Sequence, residues 1–315
     1  ESFAQVRRLL APHGVVVLYF AAQTPWIAER LAGLLREAMG AEPIAASVKA
    51  GSPCLGGGGL LLIGGAPDTL AALRTRARAD PVLSRALLEG SFPYGTRLTS
   101  DDWPYLYLRG PRLPNYHLAL AFACLLIAAF LKVRLIGARE PVDHPMLLLG
   151  AGFMLVEVAG VSRAALLFGS TWQVNAYVVG GILAMALLAN AVVAWRRPRV
   201  LGWPAWGLML SSLALAAAPM PALAELPFFA RLLAGSAFFS LPMFFSGMVF
   251  SSLWQSRARR DLALGANLLG SLLGGVASLL SMAWGFRALG FLALAVYAAA
   301  LASARWTLAR GAQGR

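Results

Sequence analysis

Two long apolar runs near the middle of the chain constrain its fold more than any other feature. The first covers residues 145–168 and the second covers 172–195, with a three-residue hinge at 169–171. Each run is about as long as the roughly 20 residues that an α-helix needs to cross the hydrocarbon core of a bilayer. The sequence therefore predicts a membrane protein that contains at least one pair of neighbouring spanning helices.

The composition supports this interpretation and excludes other classes of protein. Hydrophobic residues make up 59% of the 315 residues and charged residues only 13%, whereas soluble domains are about 45–50% apolar. The formal net charge is +13, but the arginines cluster at the ends of apolar runs, where the positive-inside rule puts them. We therefore expect a lipid bilayer as the partner of this chain, and no binding to nucleic acid.

Further apolar runs extend the membrane region to the end of the chain. Four more runs are long enough to span, at 202–220, 227–254, 262–286 and 288–306, which predicts six spanning helices. The segment 116–137 is open to two interpretations. Its apolar part, 118–131, has the length of a re-entrant or interfacial segment, whereas snorkelling of Lys132 and Arg134 would let the whole segment span as a seventh helix.

The distribution of basic residues predicts the orientation of the chain. If the six spans alternate, three arginines (Arg163, Arg231 and Arg287) lie on one side, and a larger basic set lies on the other: Lys132, Arg134, Arg139, Arg196, Arg197, Arg199, Arg257, Arg259, Arg260, Arg305, Arg310 and Arg315. The positive-inside rule then places the C-terminus and the segment before residue 145 in the cytoplasm. We predict a multi-pass protein of an inner (cytoplasmic) membrane, with its C-terminus in the cytoplasm. If 116–137 also crosses, residues 1–112 lie outside.

The first 112 residues have the pattern of an α/β domain. Helical segments at 3–10 and 26–39 alternate with apolar runs at 15–20, 44–48 and 59–63 that predict strands. The unbroken run at 15–20 is typical of a strand that is buried on both faces of a parallel sheet. We therefore predict a partial α/β Rossmann-like domain over residues 1–112, followed by a transmembrane helical domain of six or seven helices over residues 113–315.

Four segments carry a resemblance to a known family. The segments LLAPHGVVVLYFAAQTPW and GSPCLGGGGLLLIGG resemble the strand, turn, helix and hairpin of spermidine synthases, within the class I methyltransferase fold. LTSDDWPYLYLR and FMLVEVAGVSRAALLFGSTW resemble segments of membrane-fused bacterial spermidine synthase-like proteins. The resemblance implies that the intact protein is an S-adenosyl-dependent aminopropyl- or methyltransferase, with decarboxylated S-adenosylmethionine or S-adenosylmethionine as its cofactor.

The catalytic part that the resemblance implies is not in this sequence. The family's glycine-rich cofactor turn and catalytic aspartate would lie before Glu1, so we expect this chain to be a piece of a longer polypeptide that is inactive by itself. Within the chain, Gln23, Asp101 and Asp102 are the candidates for substrate binding. For the two aspartates the alternative is an Asx turn before Trp103.

Four polar residues are predicted to lie within the membrane. Glu157 has apolar sequence on both sides and must face protein or water, because a charge in lipid is costly. Arg163 follows six positions later, roughly 240° around a helix, so the two side chains do not share a face. Glu157 is either a proton or cation site or a hydrogen-bonded packing residue. Asn175 and Asn267 are mid-helix amides, which more often bond to a neighbouring helix than to a ligand.

Other motifs favour structural roles. Gly270 and Gly274 lie one helical turn apart, which predicts a close contact between two helices in lipid. The spacing of Cys54 and Cys124 predicts neither a disulfide nor, with the histidines, a metal site.

Two functional hypotheses remain from the sequence. The first is the S-adenosyl-dependent transferase, in its intact form. The second is a transporter or membrane scaffold for a small polar or cationic solute, in which the α/β domain is degenerate.

Overall fold

The computed structural model describes residues 2–22, 24–50, 57–168, 172–199, 201–217, 223 and 225–313. The chain divides into two compact units, Glu1–Pro111 and Arg112–Arg315, which are described separately here. The first unit is a small mixed α/β region, and the second is a bundle of apolar helices.

Helices and strands of the N-terminal unit follow the predicted order closely. They are α1 Ser2–Leu9, β1 Val15–Phe20, α2 Pro25–Met39, β2 Ile44–Ala50, β3 Gly57–Gly65, α3 Pro67–Ala79 and α4 Leu83–Ala86. Helix α2 begins with Pro25, whose missing N–H would have no helical partner in the first turn. It ends at Gly40, whose φ of 73° is the left-handed conformation of a C-terminal cap.

The strands pair in an antiparallel way, which corrects the prediction of a parallel sheet. The order is β1-β3-β2, with Val15 opposite Gly65 in one ladder and Ile44 opposite Ile63 in the other. An apolar run does not reveal the direction of its neighbour, and the short connection between β2 and β3 joins antiparallel strands only. Strands β1 and β2 therefore run in the same direction on either side of β3.

Burial of β1 also differs from the prediction. Its side chains alternate, so that Val17 remains 54% exposed and Tyr19 37% exposed, whereas Val16, Leu18 and Phe20 pack against the core. That core lies between α2 and one face of the sheet, and its fully or largely buried members are Ile27, Leu31, Ala32, Leu35, Ala45, Leu60 and Leu62. Only one face of β1 is covered by the described residues.

The second unit consists of apolar helices joined by short connections. They are α5 Asn115–Leu131, which continues as a π-helical turn over Lys132–Ile136, α6 His144–Phe168, α7 Trp172–Arg196, α8 Trp203–Ala217, α9 Phe228–Gln255, α10 Arg260–Ser278, α11 Ser281–Trp284 and α12 Phe286–Gln313. Six helical segments within the described residues are long and apolar enough to cross a membrane. The chain is therefore a multi-pass membrane protein.

Two of the predicted segments, 202–220 and 116–137, differ in how much of each the structure describes as helix. The run at 202–220, predicted as a span, is described as an apolar helix over the 15 residues of α8, and residues 218–220 lie outside the described ranges, so this prediction stays a prediction. The segment 116–137, which the sequence left open, is one of the six long segments. This finding favours the spanning interpretation of 116–137.

Helix α5 lies lengthwise along α10 and runs in the opposite direction. Ile136, at the end of α5, lies beside Gly265 near the start of α10. Leu120 and Cys124, near the beginning of α5, share a cavity with Leu279 beyond the end of α10. The outer face of α5 exposes large apolar side chains: Leu118, Leu120, Phe122, Leu125, Leu126, Ile127 and Phe130. Such a face is suited to lipid and not to water.

The closest glycine contacts of the bundle join α6 and α10. A Cβ atom added at Gly270 would collide with the carbonyl oxygen of Leu147, and one added at Gly274 would collide with that of Ala151. Gly150 of α6 faces the Asn267 carbonyl in the same way. The predicted packing role of Gly270 and Gly274 is therefore confirmed, and glycine allows the two backbones to touch.

Candidate functional site

Asp101 and Asp102 lie in a turn that precedes Pro104. The N–H of Trp103 bonds to the carbonyl oxygen of Ser100 at 2.9 Å and to its hydroxyl at 3.2 Å. The side chain that accepts a hydrogen bond in this turn is therefore that of Ser100, whereas the predicted Asx turn would use the side chain of an aspartate. Asp101 borders a surface groove beside α1, and Asp102 is exposed. Gln23, the third substrate-binding candidate, lies outside the described residues.

Arg30 is a buried residue of α2 that the sequence analysis did not single out. Its side chain is completely buried, and its guanidinium donates hydrogen bonds to the carbonyl oxygens of Arg97 at 2.7 Å, Tyr105 at 3.2 Å, Leu106 at 2.6 Å and Arg109 at 3.1 Å. The rings of Trp26 and Trp103 lie 5.1 and 5.3 Å from it. The available sequence signal was its position on the apolar face of α2, one turn from Ile27.

Two further polar contacts attach the same segment to α2. Glu29 accepts hydrogen bonds from the N–H of Thr96 at 2.8 Å and from its hydroxyl at 2.6 Å, and these bonds lower the pKa of the Glu29 carboxyl group. The Tyr94 hydroxyl donates to Glu42, and burial, followed by this carboxylate, raises the pKa of Tyr94. Arg36 lies 4.4 Å from the Tyr94 ring. These contacts are structural attachments of a long connecting segment.

A cavity of about 290 Å³ lies among α6, α7, α9 and α10 of the helical unit. Polar side chains are concentrated in its wall, although the helices themselves are apolar: Asn190, Ser246, Ser251, Asn267 and Ser271. Asn267 is the one candidate site residue from the sequence that lines it. The sequence did not predict the grouping, because these residues come from three separate helices.

Hydrogen bonds hold the polar wall of the cavity in place. The Ser251 hydroxyl donates to the amide oxygen of Asn190 at 2.5 Å. The amide nitrogen of Asn267 donates to the Met146 carbonyl at 3.0 Å, and the Ser271 hydroxyl donates to the Gly150 carbonyl at 3.3 Å. Among the described residues, no partner is found for the amide nitrogen of Asn190 or the amide oxygen of Asn267. One donor and one acceptor are therefore free for a ligand.

Glu157 lies on α6, one turn beyond the cavity. Leu149 and Phe153 line the cavity, and Glu157 continues their four-residue spacing on the same side of the helix. Its side chain is partly buried, and the described part of the chain offers it no hydrogen-bond or ion-pair partner. Helices α9 and α10 both pack against α6, but they make few contacts with each other.

Arg163 has surroundings different from those of Glu157. It is 5% exposed, and its guanidinium donates a hydrogen bond to the carbonyl oxygen of Leu215. Leu215 belongs to the last turn of α8, where the helix dipole favours a cation. The side chain of Asn175, the remaining membrane candidate, lies outside the described part of the chain.

An ion pair joins two helix ends at the basic end of the bundle. Asp143 precedes α6 and Arg257 follows α9, and their side chains meet at 2.7 Å. Asp143 also accepts a hydrogen bond from the N–H of Met146 at 3.3 Å, which caps the start of α6. Ser251, in the cavity wall, precedes Arg257 by six residues, which at the helical rise per residue places it about 9 Å further into the bundle. The ion pair therefore joins the ends of two of the helices that line the cavity.

No group of three or more His, Cys, Asp or Glu side chains in the described residues could hold a metal ion. Comparisons with family models, with curated proteins and with solved structures found no match for this chain. The fold and the site thus support one identification: the chain is an integral, multi-pass helical membrane protein with a small N-terminal α/β region.

Proposed function

We propose that the helical unit binds a small polar solute in the cavity among α6, α7, α9 and α10, and that the protein is a transporter for this solute. The observation that supports this proposal is the convergence of five polar side chains on one cavity. Polar groups inside apolar membrane helices are costly, and they commonly mark the paths of substrates or ions.

The size and chemistry of the cavity narrow the class of solute. A volume of about 290 Å³ is at the lower limit of ordinary ligand pockets, which begin near 300 Å³, and equals about ten water volumes. The amide nitrogen of Asn190 supplies a hydrogen-bond donor, and the amide oxygen of Asn267 supplies an acceptor. The solute is therefore a compact molecule that has both hydrogen-bond donors and acceptors, and N-methylurea is a small probe with this chemistry.

Replacement of Asn267 with leucine is expected to weaken the binding of N-methylurea about tenfold. Leucine keeps the side-chain size but removes the amide oxygen, and the loss of one hydrogen bond in an apolar site costs about 1–1.5 kcal/mol. Binding is measured by saturation-transfer NMR on the methyl signal, with the protein in detergent. The matched control is Ser212→Ala, because Ser212 is buried in α8 and does not line this cavity. Equal binding by the Asn267→Leu variant and the parent would contradict the proposal.

We propose, as a second candidate function, that the N-terminal unit belongs to a spermidine synthase-like transferase whose intact form uses an S-adenosyl cofactor. What supports it is the element order. Strand β1, helix α2 and the antiparallel pair β2 and β3 follow one another as the strand, helix and hairpin of the family do. The residues that bind the cofactor would lie upstream of Glu1.

The side of the membrane on which α5 begins distinguishes the two proposed functions. If α5 crosses the membrane, Asn115 lies at the end of the bundle opposite to Arg257 and Arg260. The positive-inside rule puts these arginines in the cytoplasm, so residues before Asn115 lie outside, where S-adenosyl cofactors are not available. This topology favours the transporter, whereas a cytoplasmic side for residues 1–112 would favour the transferase.

Cysteine labelling is expected to place Asn115 and Ser256 on opposite sides of the membrane. Both residues are exposed at helix ends, and both Asn115→Cys and Ser256→Cys would be made in a chain with Cys54 and Cys124 replaced by serine. A membrane-impermeant maleimide should label position 115 in intact cells and position 256 only after permeabilisation. Labelling of both positions under the same condition would refute the crossing of α5 and would restore the transferase as the better proposal.

A further inference from the structure

We infer that the solute is a cation, and that Glu157 is the counter-charge that selects it. The inference rests on the proposed transport function and adds the charge class of its substrate. It starts from the position of Glu157 beside the cavity rather than in its wall. Leu149, Phe153 and Glu157 are spaced four residues apart on α6, so the Cα atom of Glu157 lies about 6 Å beyond that of Phe153 along the helix axis.

The carboxylate of Glu157 can bind a ligand because the described residues offer it neither a cation nor a hydrogen-bond donor. No hydrogen bond or ion pair to it is found in the described ranges, and the nearest basic residue in sequence, Arg163, bonds to the carbonyl of Leu215 on a different helix. A carboxylate in a spanning helix is stable when it is protonated or when it faces a cation. A bound cation next to the cavity would supply that partner.

The lining of the cavity is compatible with a positive ligand. Its described wall consists of apolar side chains, three serines and two asparagines, and it includes no lysine or arginine. The amide oxygen of Asn267 can accept a hydrogen bond from an ammonium or guanidinium group. A cation in the cavity is thus bonded by neutral oxygens at one end and attracted by Glu157 at the other, whereas an anion would meet an unscreened carboxylate.

The contacts between helices are sparse on the side of α6 that faces the cavity. Helices α9 and α10 flank α6 and make few contacts with each other, so the side of α6 that carries Phe153 and Glu157 is not closed by a direct contact between them. The Asp143 and Arg257 ion pair lies toward the basic end, and Glu157 lies toward the other end. The cavity and Glu157 are therefore successive polar positions along one helix.

Two molecules of the same shape test the inference. N-methylguanidinium and N-methylurea are both planar and differ mainly in charge, and each carries a methyl group that saturation-transfer NMR detects. For the Glu157→Gln variant in detergent, we expect binding of N-methylguanidinium to weaken at least tenfold, while binding of N-methylurea stays within about twofold of the parent, because glutamine keeps the shape and removes the charge.

The remaining variants separate this inference from the proposed function. Asn267→Leu should weaken the binding of both compounds, since it removes a hydrogen-bond acceptor and no charge. Glu157→Asp retains the carboxylate and should keep the preference for N-methylguanidinium, which provides a test even if Glu157→Gln fails to fold. Equal effects of Glu157→Gln on the binding of both compounds would overturn the cation assignment but would not contradict the proposed polar binding site. An unmodified protein that binds neither compound would overturn both.

Discussion

Replacement of Arg30 with lysine is expected to release the segment 97–109 from α2 and to lower the stability of the N-terminal unit by about 3 kcal/mol. The guanidinium donates to four carbonyl oxygens, and its central carbon lies 5.1 Å from the Trp26 ring and 5.3 Å from the Trp103 ring. Lysine has one compact charge on a flexible stem and cannot reproduce this planar fork. Buried carbonyl groups of the segment would then lose their donors.

Hydrogen exchange of the whole chain in detergent measures this effect. The amides of Trp103, Leu106 and Leu108 form hydrogen bonds within the segment, and we expect their exchange to accelerate at least tenfold in the Arg30→Lys variant. Arg76→Lys is the matched control, because Arg76 is exposed on α3 and the same substitution there should change exchange little. Unchanged protection of the three amides in Arg30→Lys would show that the four guanidinium hydrogen bonds are not what holds the segment.

Replacement of Gly270 with leucine is expected to separate α6 from α10 and to destabilise the helical unit by at least about 2 kcal/mol. Even the first carbon of a side chain at this position would collide with the Leu147 carbonyl oxygen. Backbone atoms cannot rotate away as a flexible side chain does, so the two helices must move apart. The contact of Gly274 with Ala151 would open as well, because it lies one turn along the same interface.

Thermal unfolding of the protein in detergent, followed by tryptophan fluorescence, tests this prediction. The control is Gly180→Ala in α7, where an added Cβ meets nothing within 4 Å. This control should stabilise the helix by up to about 1 kcal/mol, because alanine has the higher helix propensity. Opposite shifts of the unfolding temperature are expected for the two variants. A Gly270→Leu protein that unfolds at the parent's temperature would show that the helices repack without loss.

The two predictions concern separate units, but the second also affects the proposed site. Helix α6 carries Leu147 and Gly150 against α10, Phe153 in the cavity wall, and Glu157 one turn further. A shift of α6 relative to α10 would separate Asn267 from the Met146 carbonyl that orients it. We therefore expect Gly270→Leu to reduce binding of N-methylurea together with a large loss of stability, whereas Asn267→Leu should reduce binding with a smaller loss of stability, that of its one hydrogen bond to the Met146 carbonyl.

Local chemistry explains what the sequence by itself determined about this protein. The length and apolarity of its runs predicted the membrane class and the helices at 145–168 and 172–195, because lipid requires every backbone group to bond within its own helix. The end of α2 at Gly40 and the order of helices and strands were also predictable. The glycine pair at 270 and 274 was recognised as a packing motif because small residues one turn apart create a flat surface.

Only the tertiary structure decided which distant residues meet. The buried role of Arg30 depends on a segment some 70 positions later, and the cavity draws Asn190, Ser251 and Asn267 from three helices. The pairing of β1 with β3 was equally invisible, because an apolar run has the same composition in either direction. The hairpin of β2 and β3, by contrast, was implied by the resemblance. The course of α5 along α10 was open for the same reason. Periodicity reports which face of an element is apolar, but contacts across the chain set what that face touches.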